Sequence, residues 1–299
     1  MDNLPYLSLN RFLRDKFGEK TIKLSVDAGF TCPNRDGKLS TKGCIFCSSG
    51  GSGDFAGSRN LSITKQLESQ KELLSKKWSS AKYIAYFQAF TNTYAPVEVL
   101  RKKYEEAIGF DGVVALAIAT RPDCITEEIA LLLEELNKKV YVWAELGLQT
   151  SNEKSAEYIN RGYKTSVYSS AVELLHKHGI DVVTHIIFGL PNETEEDMLK
   201  SVKFAVKSKT DGIKLQLLHV LENTPLGEIY KEKPFHVLTK EEYTDLVCRA
   251  LEIIPNTIVI HRLTGDGNKN ELIEPKWSLN KKDVLNTINK KLSKKYNNI

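Results

Sequence analysis

An alternation of strand-sized and helix-sized segments constrains the fold of this chain more than any other feature. Runs at 21–26, 82–87, 112–119, 140–148, 180–188 and 213–220 read as strands. Between them, 62–78, 94–107, 126–137, 166–178 and 194–207 carry apolar residues at helical spacing. Helix signals mark their ends: Thr126 with Glu127 and Glu128, a capping-box pair in Thr194 and Asp197, Pro96 near a start and Gly179 after a stop. Each step takes roughly thirty residues, the size of a βαβ unit. Such units give parallel strands joined by right-handed crossovers. Six units are too few to close an eight-fold barrel. The expected fold is therefore α/β, an open, partial (βα)6 barrel.

The flanks divide the chain into an N-terminal helix (1–20), the barrel (21–220) and a C-terminal α/β extension (221–299). Leu9, Phe12, Leu13 and Phe17 predict a helix over 7–17. The extension reads as helices at 239–253 and 279–292 with a short strand at 257–261. Its end is rich in lysine: Lys281, Lys282, Lys290, Lys291, Lys294 and Lys295. With 299 residues and 41% hydrophobic content, the chain is ample for one large core. The longest apolar run, 113–119, is strand-sized rather than membrane-sized. The first residues lack the basic and apolar regions of a signal peptide, so a cytoplasmic location is expected, with no membrane partner. A net charge of +4 does not by itself demand nucleic acid.

The chemistry concentrates in residues 29–57, directly after the first strand. Cys32, Cys44 and Cys47 fall within sixteen residues, among seven glycines that let the backbone wrap closely around a ligand. A structural zinc site wants four ligands, yet the nearest histidine in sequence is His176, and Cys124 and Cys248 are isolated. A disulfide leaves one thiol over, and a polar, glycine-rich loop is a poor place to bury thiols for packing alone. An iron–sulfur cluster held by three cysteines, with one iron open, accounts best for the loop. Its place at the end of a strand is where barrel enzymes carry catalytic groups.

Other strand ends carry polar residues. Gln88, Thr91 and Asn92 follow the second strand, and Arg121, which suits a carboxylate, follows the third. Glu145 lies inside the apolar fourth strand, where an acid costs free energy unless paired. His185 and His219 read first as satisfied core histidines and second as substrate contacts.

The segment Phe30-Thr31-Cys32-Pro33-Asn34-Arg35-Asp36-Gly37, with the Cys44-Ile45-Phe46-Cys47 ending, resembles the cluster loop of radical S-adenosylmethionine (SAM) enzymes. Eleven residues separate Cys32 from Cys44, longer than the commonest spacing of that superfamily. The longer spacing, and Thr120-Arg121-Pro122-Asp123, resemble the subgroup related to the elongator catalytic subunit, and in particular YhcC/YtqA-type (MnmL-like) proteins. The resemblance implies a 4Fe–4S cluster on Cys32, Cys44 and Cys47, with SAM cleaved reductively to a 5′-deoxyadenosyl radical. It implies that Gln88, Thr91 and Asn92 replace a Gly-Gly-Glu-like motif gripping the SAM amine. It implies further that Gln149 and Arg161 contact the SAM ribose and carboxylate, that Phe46 and Glu145 join the cofactor site, and that Gly189-Leu190-Pro191 edges the adenine.

Arg262 and Asp266, in a tail resembling that of the same group, are expected to close over the substrate side. The implied substrate is the C5 side chain of tRNA wobble uridine, converted from carboxymethylaminomethyl towards aminomethyl. The lysine-rich end would contact phosphate, and Tyr94, Phe90 or Trp277 would stack the base. The electron would come from a donor such as flavodoxin or ferredoxin. The acetyltransferase domain of the elongator relatives has no room here, so acetyl-CoA chemistry is not expected. Two other readings stand beside this one: a radical SAM enzyme on a small molecule or other RNA, and an Fe–S electron carrier without SAM chemistry.

Overall fold

The alternation folds into one parallel sheet, which gains a strand from the C-terminal region. The computed structural model describes residues 4–51, 53, 56–75, 82–265 and 267–296. Helix α1 (Leu9–Phe17) precedes β1 (Thr21–Val26). Then follow α2 (Ile63–Ser75), β2 (Lys82–Phe87), α3 (Val97–Ile108), β3 (Val113–Thr120), α4 (Glu127–Asn137) and β4 (Tyr141–Gln149). After α5 (Glu153–Tyr158) and α6 (Thr165–Lys177) come β5 (Asp181–Phe188), α7 (Glu195–Lys207), β6 (Gly212–Leu217) and the short β7 (Val220–Leu221). The chain ends with α8 (Pro225–Glu232), α9 (Lys240–Ile253), β8 (Val259–Arg262), β9 (Leu272–Glu274) and α10 (Lys281–Tyr296).

Strands β1 to β6 pair in chain order, all parallel, and β8 adds as a seventh strand beside β6. The sheet curls into an open half-barrel. The six expected strands form in chain order, and the short strand expected at 257–261 in the extension joins them as a seventh, through a pairing with β6 that cannot be read locally. The run at 213–220 also breaks after Leu217, and the helix expected from 94 starts at Val97, behind Pro96. Helices α5 and α8, at six and eight residues, are too short to show a periodic stripe. The part of the 62–78 helix beyond Ser75 and Asp266 lie outside the described residues.

Alternation along each strand decides what faces where. Ile22, Leu24, Val26, Tyr83, Ala85 and Phe87 point outward and build the main core with the helices. The inner face is different. Ala115, Ala117 and Ala119 of β3 are small and leave room inside the curl, which Ile84, Tyr86, Trp143, Val183 and Leu13 of α1 fill. Helix α1 is capped by Ser8, which accepts from Arg11 N at 3.2 Å, and ends at the left-handed Gly18. It packs against both β1 and β8, the two edges of the sheet, while Ser8 bridges to Ile260. It therefore plugs the lower end of the half-barrel and leaves the C-terminal strand ends open. Among the described residues no helix is long and apolar enough to cross a membrane.

Candidate active site

The loop after β1 is pinned to the body of the protein by short polar contacts. Asn34 Nδ2 donates to Asn160 O at 2.7 Å, and Asn160 Nδ2 donates back to Gly43 O at 2.6 Å. The Arg35 guanidinium donates to Cys47 O at 2.8 Å and Ser48 O at 2.7 Å. Gly43 has a φ of 72°, and a Cβ there would stand 2.9 Å from Arg35 Nε, so this close approach needs glycine. Ile45 N donates to Ile159 O at 3.1 Å, and Phe46 joins an apolar cluster with Ile187, Leu190 and Leu218.

These contacts bring Cys32, Cys44 and Cys47, all half-buried free thiols, to the wall of one cavity of about 800 Å³. Cys124 and Cys248 are buried elsewhere. Asn34 Nδ2 lies 3.6 Å from Cys44 Sγ. Burial, and then the neighbouring Cys47, push the Cys44 thiol up to about 12, so it gives up its proton readily only to a metal.

Phe46, Gln88, Thr91, Gln149, Arg161 and Glu145 also line this cavity. Asn92 does not: its amide donates to Phe87 O at 3.1 Å and Ala119 O at 2.8 Å, tying the end of β2 to β3. Its Nδ2 thus serves as a strand tie, while its Oδ1 is buried without a hydrogen-bond partner among the described residues. Arg161 reaches the wall, but its N–H groups are engaged within the protein. They donate to Leu148 O at 2.8 Å, Thr150 O at 2.7 Å and Tyr163 O at 2.7 Å. Tyr163 lies between the guanidinium groups of Arg121 and Arg161, at 4.7 and 4.6 Å. Arg161 thus holds the end of β4 in shape, which corrects the direct carboxylate contact expected of it. Gln149 has a left-handed φ of 64° and a buried Oε1 with no hydrogen-bond partner. Gly147 leaves room for the Gln149 amide, since a Cβ there would stand 2.6 Å from Gln149 Nε2.

Below this rim lies a charged floor. Glu145 is fully buried. Its Oε1 accepts from Lys23 Nζ at 3.3 Å and from Trp143 Nε1 at 3.1 Å. Its Oε2 accepts from His185 Nε2 at 3.0 Å and from Lys214 Nζ at close range. Lys214 also donates to Tyr86 Oη at 3.2 Å. Burial pushes the Glu145 carboxyl up, but Lys214, Lys23 and His185 more than offset it and hold it well below the usual range. Glu145 sits four residues before Gln149 on β4, about 13 Å at the rise of a strand. It therefore lies deeper in the same cavity than Gln149 at the strand end.

Sequence reasoning missed Lys23 and Lys214. The signal was present: each lysine stands between apolar residues of a strand, in Ile22-Lys23-Leu24 and Ile213-Lys214-Leu215, the same anomaly that singled out Glu145.

The comparisons with known proteins agree with this geometry. The Radical SAM superfamily profile matches residues 32–205, and the Radical_SAM C-terminal domain matches 210–294. The chain belongs to the radical SAM superfamily, and its cofactors are a 4Fe–4S cluster and SAM. It is 48% identical over 287 residues to YtqA of Bacillus subtilis, covering 96% of this chain and 89% of that protein. It is 31% identical over 157 residues, 51% of this chain and 28% of the other, to the tRNA uridine(34) acetyltransferase of Methanocaldococcus jannaschii. Among solved structures, Elp3 of Methanocaldococcus infernus superposes with a TM-score of 0.68 at 20% identity, over 91% of this chain and 63% of that one.

The residues fit these cofactors. Three reduced thiols on one wall match a cluster that keeps one iron open. Among the described residues no three His, Cys, Asp or Glu converge as a site for a single metal ion requires, whereas a cluster meets each thiolate at a different iron. The buried, unpartnered Gln149 Oε1 on the same wall offers an acceptor to a bound nucleoside.

Proposed function

We propose that this radical SAM enzyme modifies the C5 side chain of the wobble uridine of tRNA, taking a carboxymethylaminomethyl group towards aminomethyl. The observation that carries the reading is the match, over half of this chain, to a protein named for acting on uridine 34 of tRNA. When bound, the cluster and SAM supply a carbon-centred radical able to take a hydrogen atom from an unactivated C–H bond. Cys32, Cys44 and Cys47 hold the cluster. Gln88, Thr91 and Gln149 orient SAM at the rim, where Phe46 covers the loop. Asn34 and Arg35 keep the thiols facing the cavity, and Tyr163 with Arg161 holds the end of β4 in register.

Two surface features fit an RNA. Lys281 of α10 lines the cavity, and Lys282, Lys290 and Lys294 further along the same helix are exposed and would meet phosphates outside it. Lys291 and Lys295 are instead in ion pairs with Glu241, Asp245 and Glu252 of α9, so they act in packing. Phe90 lines the cavity, where its ring would stack a base. Trp277 is not: its indole donates to Leu238 O at 3.0 Å and packs on Tyr243. A flavodoxin- or ferredoxin-type donor in the cytoplasm completes the reading. The test is nucleoside mass spectrometry of total tRNA from cells with and without the gene. Loss of aminomethyl-type wobble uridines with accumulation of carboxymethylaminomethyluridine is expected. An unchanged nucleoside profile would remove tRNA as the substrate and leave the superfamily chemistry standing.

A further inference from the structure

The floor of the cavity carries more positive charge than the described residues neutralise. Lys23, Lys214 and Arg262 all face it, and Glu145 is the one carboxylate on the cavity wall among the described residues. Arg262, the last residue of β8, is half-buried, and its guanidinium has no hydrogen bond or ion pair among the described residues. Lys23 and Lys214 both sit below the ordinary lysine range. Burial is the main cause, a single carboxylate does not offset it, and Arg262 adds its repulsion. The neutral groups nearby add donors: Tyr86 bonds to Lys214, and Gln216 Nε2 lies 3.3 Å from His185 Nδ1. Desolvated cations of this kind are costly unless an anion completes them.

The cysteines lie on the loop after β1 and Gln149 ends β4, and none of them bonds to Lys23, Lys214 or Arg262 among the described residues. A substrate must supply it. On the tRNA reading, a base flipped in from the mouth would enter with its C5 side chain foremost and leave its phosphates outside. We propose that the floor is an anion subsite in which Arg262 and Lys23 take the terminal carboxylate of the substrate side chain, while Glu145 fixes Lys214 and His185 beneath it. The subsite rests on the tRNA reading only for the identity of that carboxylate.

The experiment measures binding to the anaerobically reconstituted holoenzyme, wild type and Arg262→Gln. Three anticodon stem-loop RNAs are compared, with wobble carboxymethylaminomethyluridine, the same nucleoside with its carboxylate as the primary amide, and uridine. Wild type should prefer the carboxylate RNA over the amide by about 10-fold, the worth of a good charge-assisted contact. Arg262→Gln should lose that preference while binding the amide and uridine RNAs as wild type does. Arg262→Lys should keep part of it, which separates charge from misfolding. Equal binding of carboxylate and amide RNAs by wild type overturns the subsite and leaves the tRNA reading intact.

If no RNA binds, the tRNA reading falls, and an RNA-free arm decides the subsite. There N-methylglycine and its amide are titrated while thermal stability is followed. Stabilisation of wild type by the acid but not by its amide, absent in Arg262→Gln, supports the subsite. No difference between acid and amide, or the same shift in Arg262→Gln, overturns it.

Discussion

The rim and the floor of one cavity use cations in opposite ways. At the rim, Arg35 and Arg161 donate mainly to backbone carbonyls: Cys47 and Ser48 for one, Leu148, Thr150 and Tyr163 for the other. Arg121 likewise donates to Arg161 O at 2.9 Å and is closed off by a bidentate contact with Asp123. These guanidinium groups shape a loop, and their charge is incidental to it. At the floor, Lys23 and Lys214 converge on one carboxylate and Arg262 stands unpaired among the described residues. There the charge itself is the feature. A saturated arginine builds a site, and an undersaturated cation waits for a ligand.

The largest effect separates the rim thiols from the other two. Replacing Cys32, Cys44 or Cys47 by alanine should abolish cluster incorporation and lower activity by a factor of 1000 or more, on the order of removing an essential group. The fold should survive, since these thiols are half-buried in a loop. Iron content and visible absorption after anaerobic reconstitution, with circular dichroism as a control, read both. Cys124→Ala and Cys248→Ala should keep the cluster, and loss of iron in either would overturn the ligand assignment.

At the floor, Glu145→Gln should act on stability first. It removes the carboxylate that pairs Lys23 and Lys214 in a fully buried position. Leaving such charges uncompensated costs about 3–5 kcal/mol. Urea unfolding at neutral pH measures it, and a change below about 1 kcal/mol would contradict the picture of a charged floor. The double variant Glu145→Gln/Lys214→Met should recover part of the loss, because it removes a stranded ammonium together with its partner.

Most of the architecture was legible because it is written in local periodicity. The strands at 21–26 and 82–87 are found at the expected bounds, and the capping box of Thr194 and Asp197 forms as expected. What was not legible depends on contacts distant in sequence. Residues 259–262 join the sheet through β6, some fifty residues earlier, and nothing in their own sequence says so. The site divides along the same line. Cys32, Cys44 and Cys47 are neighbours in sequence and could be grouped at sight. Glu145 could be flagged, but its partners lie 122, 69 and 40 residues away and a single lysine in a strand looks like a solvated edge. The same distance hid the fate of Arg161 and Asn92, whose side chains are occupied by carbonyls that only the folded chain brings near.

The smallest of these effects is a pH response confined to the floor. Burial, and then Lys214, push His185 down to about 4. Its ring is therefore neutral at pH 7, with Nε2–H donating to Glu145 and Nδ1 left to accept from Gln216. In the unfolded chain the same histidine titrates near 6.5. Below that value the unfolded state binds a proton that the folded state refuses, so stability falls as pH drops from about 6.5 towards 4 and is constant above. At pH 5 the loss amounts to about 2 kcal/mol for a folded value of about 4. His185→Gln keeps a side-chain donor to Glu145 and removes the titration. The gap in unfolding free energy between wild type and variant should therefore shift by that amount, in the variant's favour, between pH 7 and pH 5. Arg161 bonds to backbone carbonyls and to Thr165 rather than to a histidine, so Arg161→Lys should destabilise the protein equally at both pH values. A parallel pair of pH profiles for wild type and His185→Gln would mean that His185 takes up its proton in the folded protein as readily as in the unfolded chain, so that it charges between pH 7 and pH 5. The floor would then hold one more cation than the geometry assigns to it.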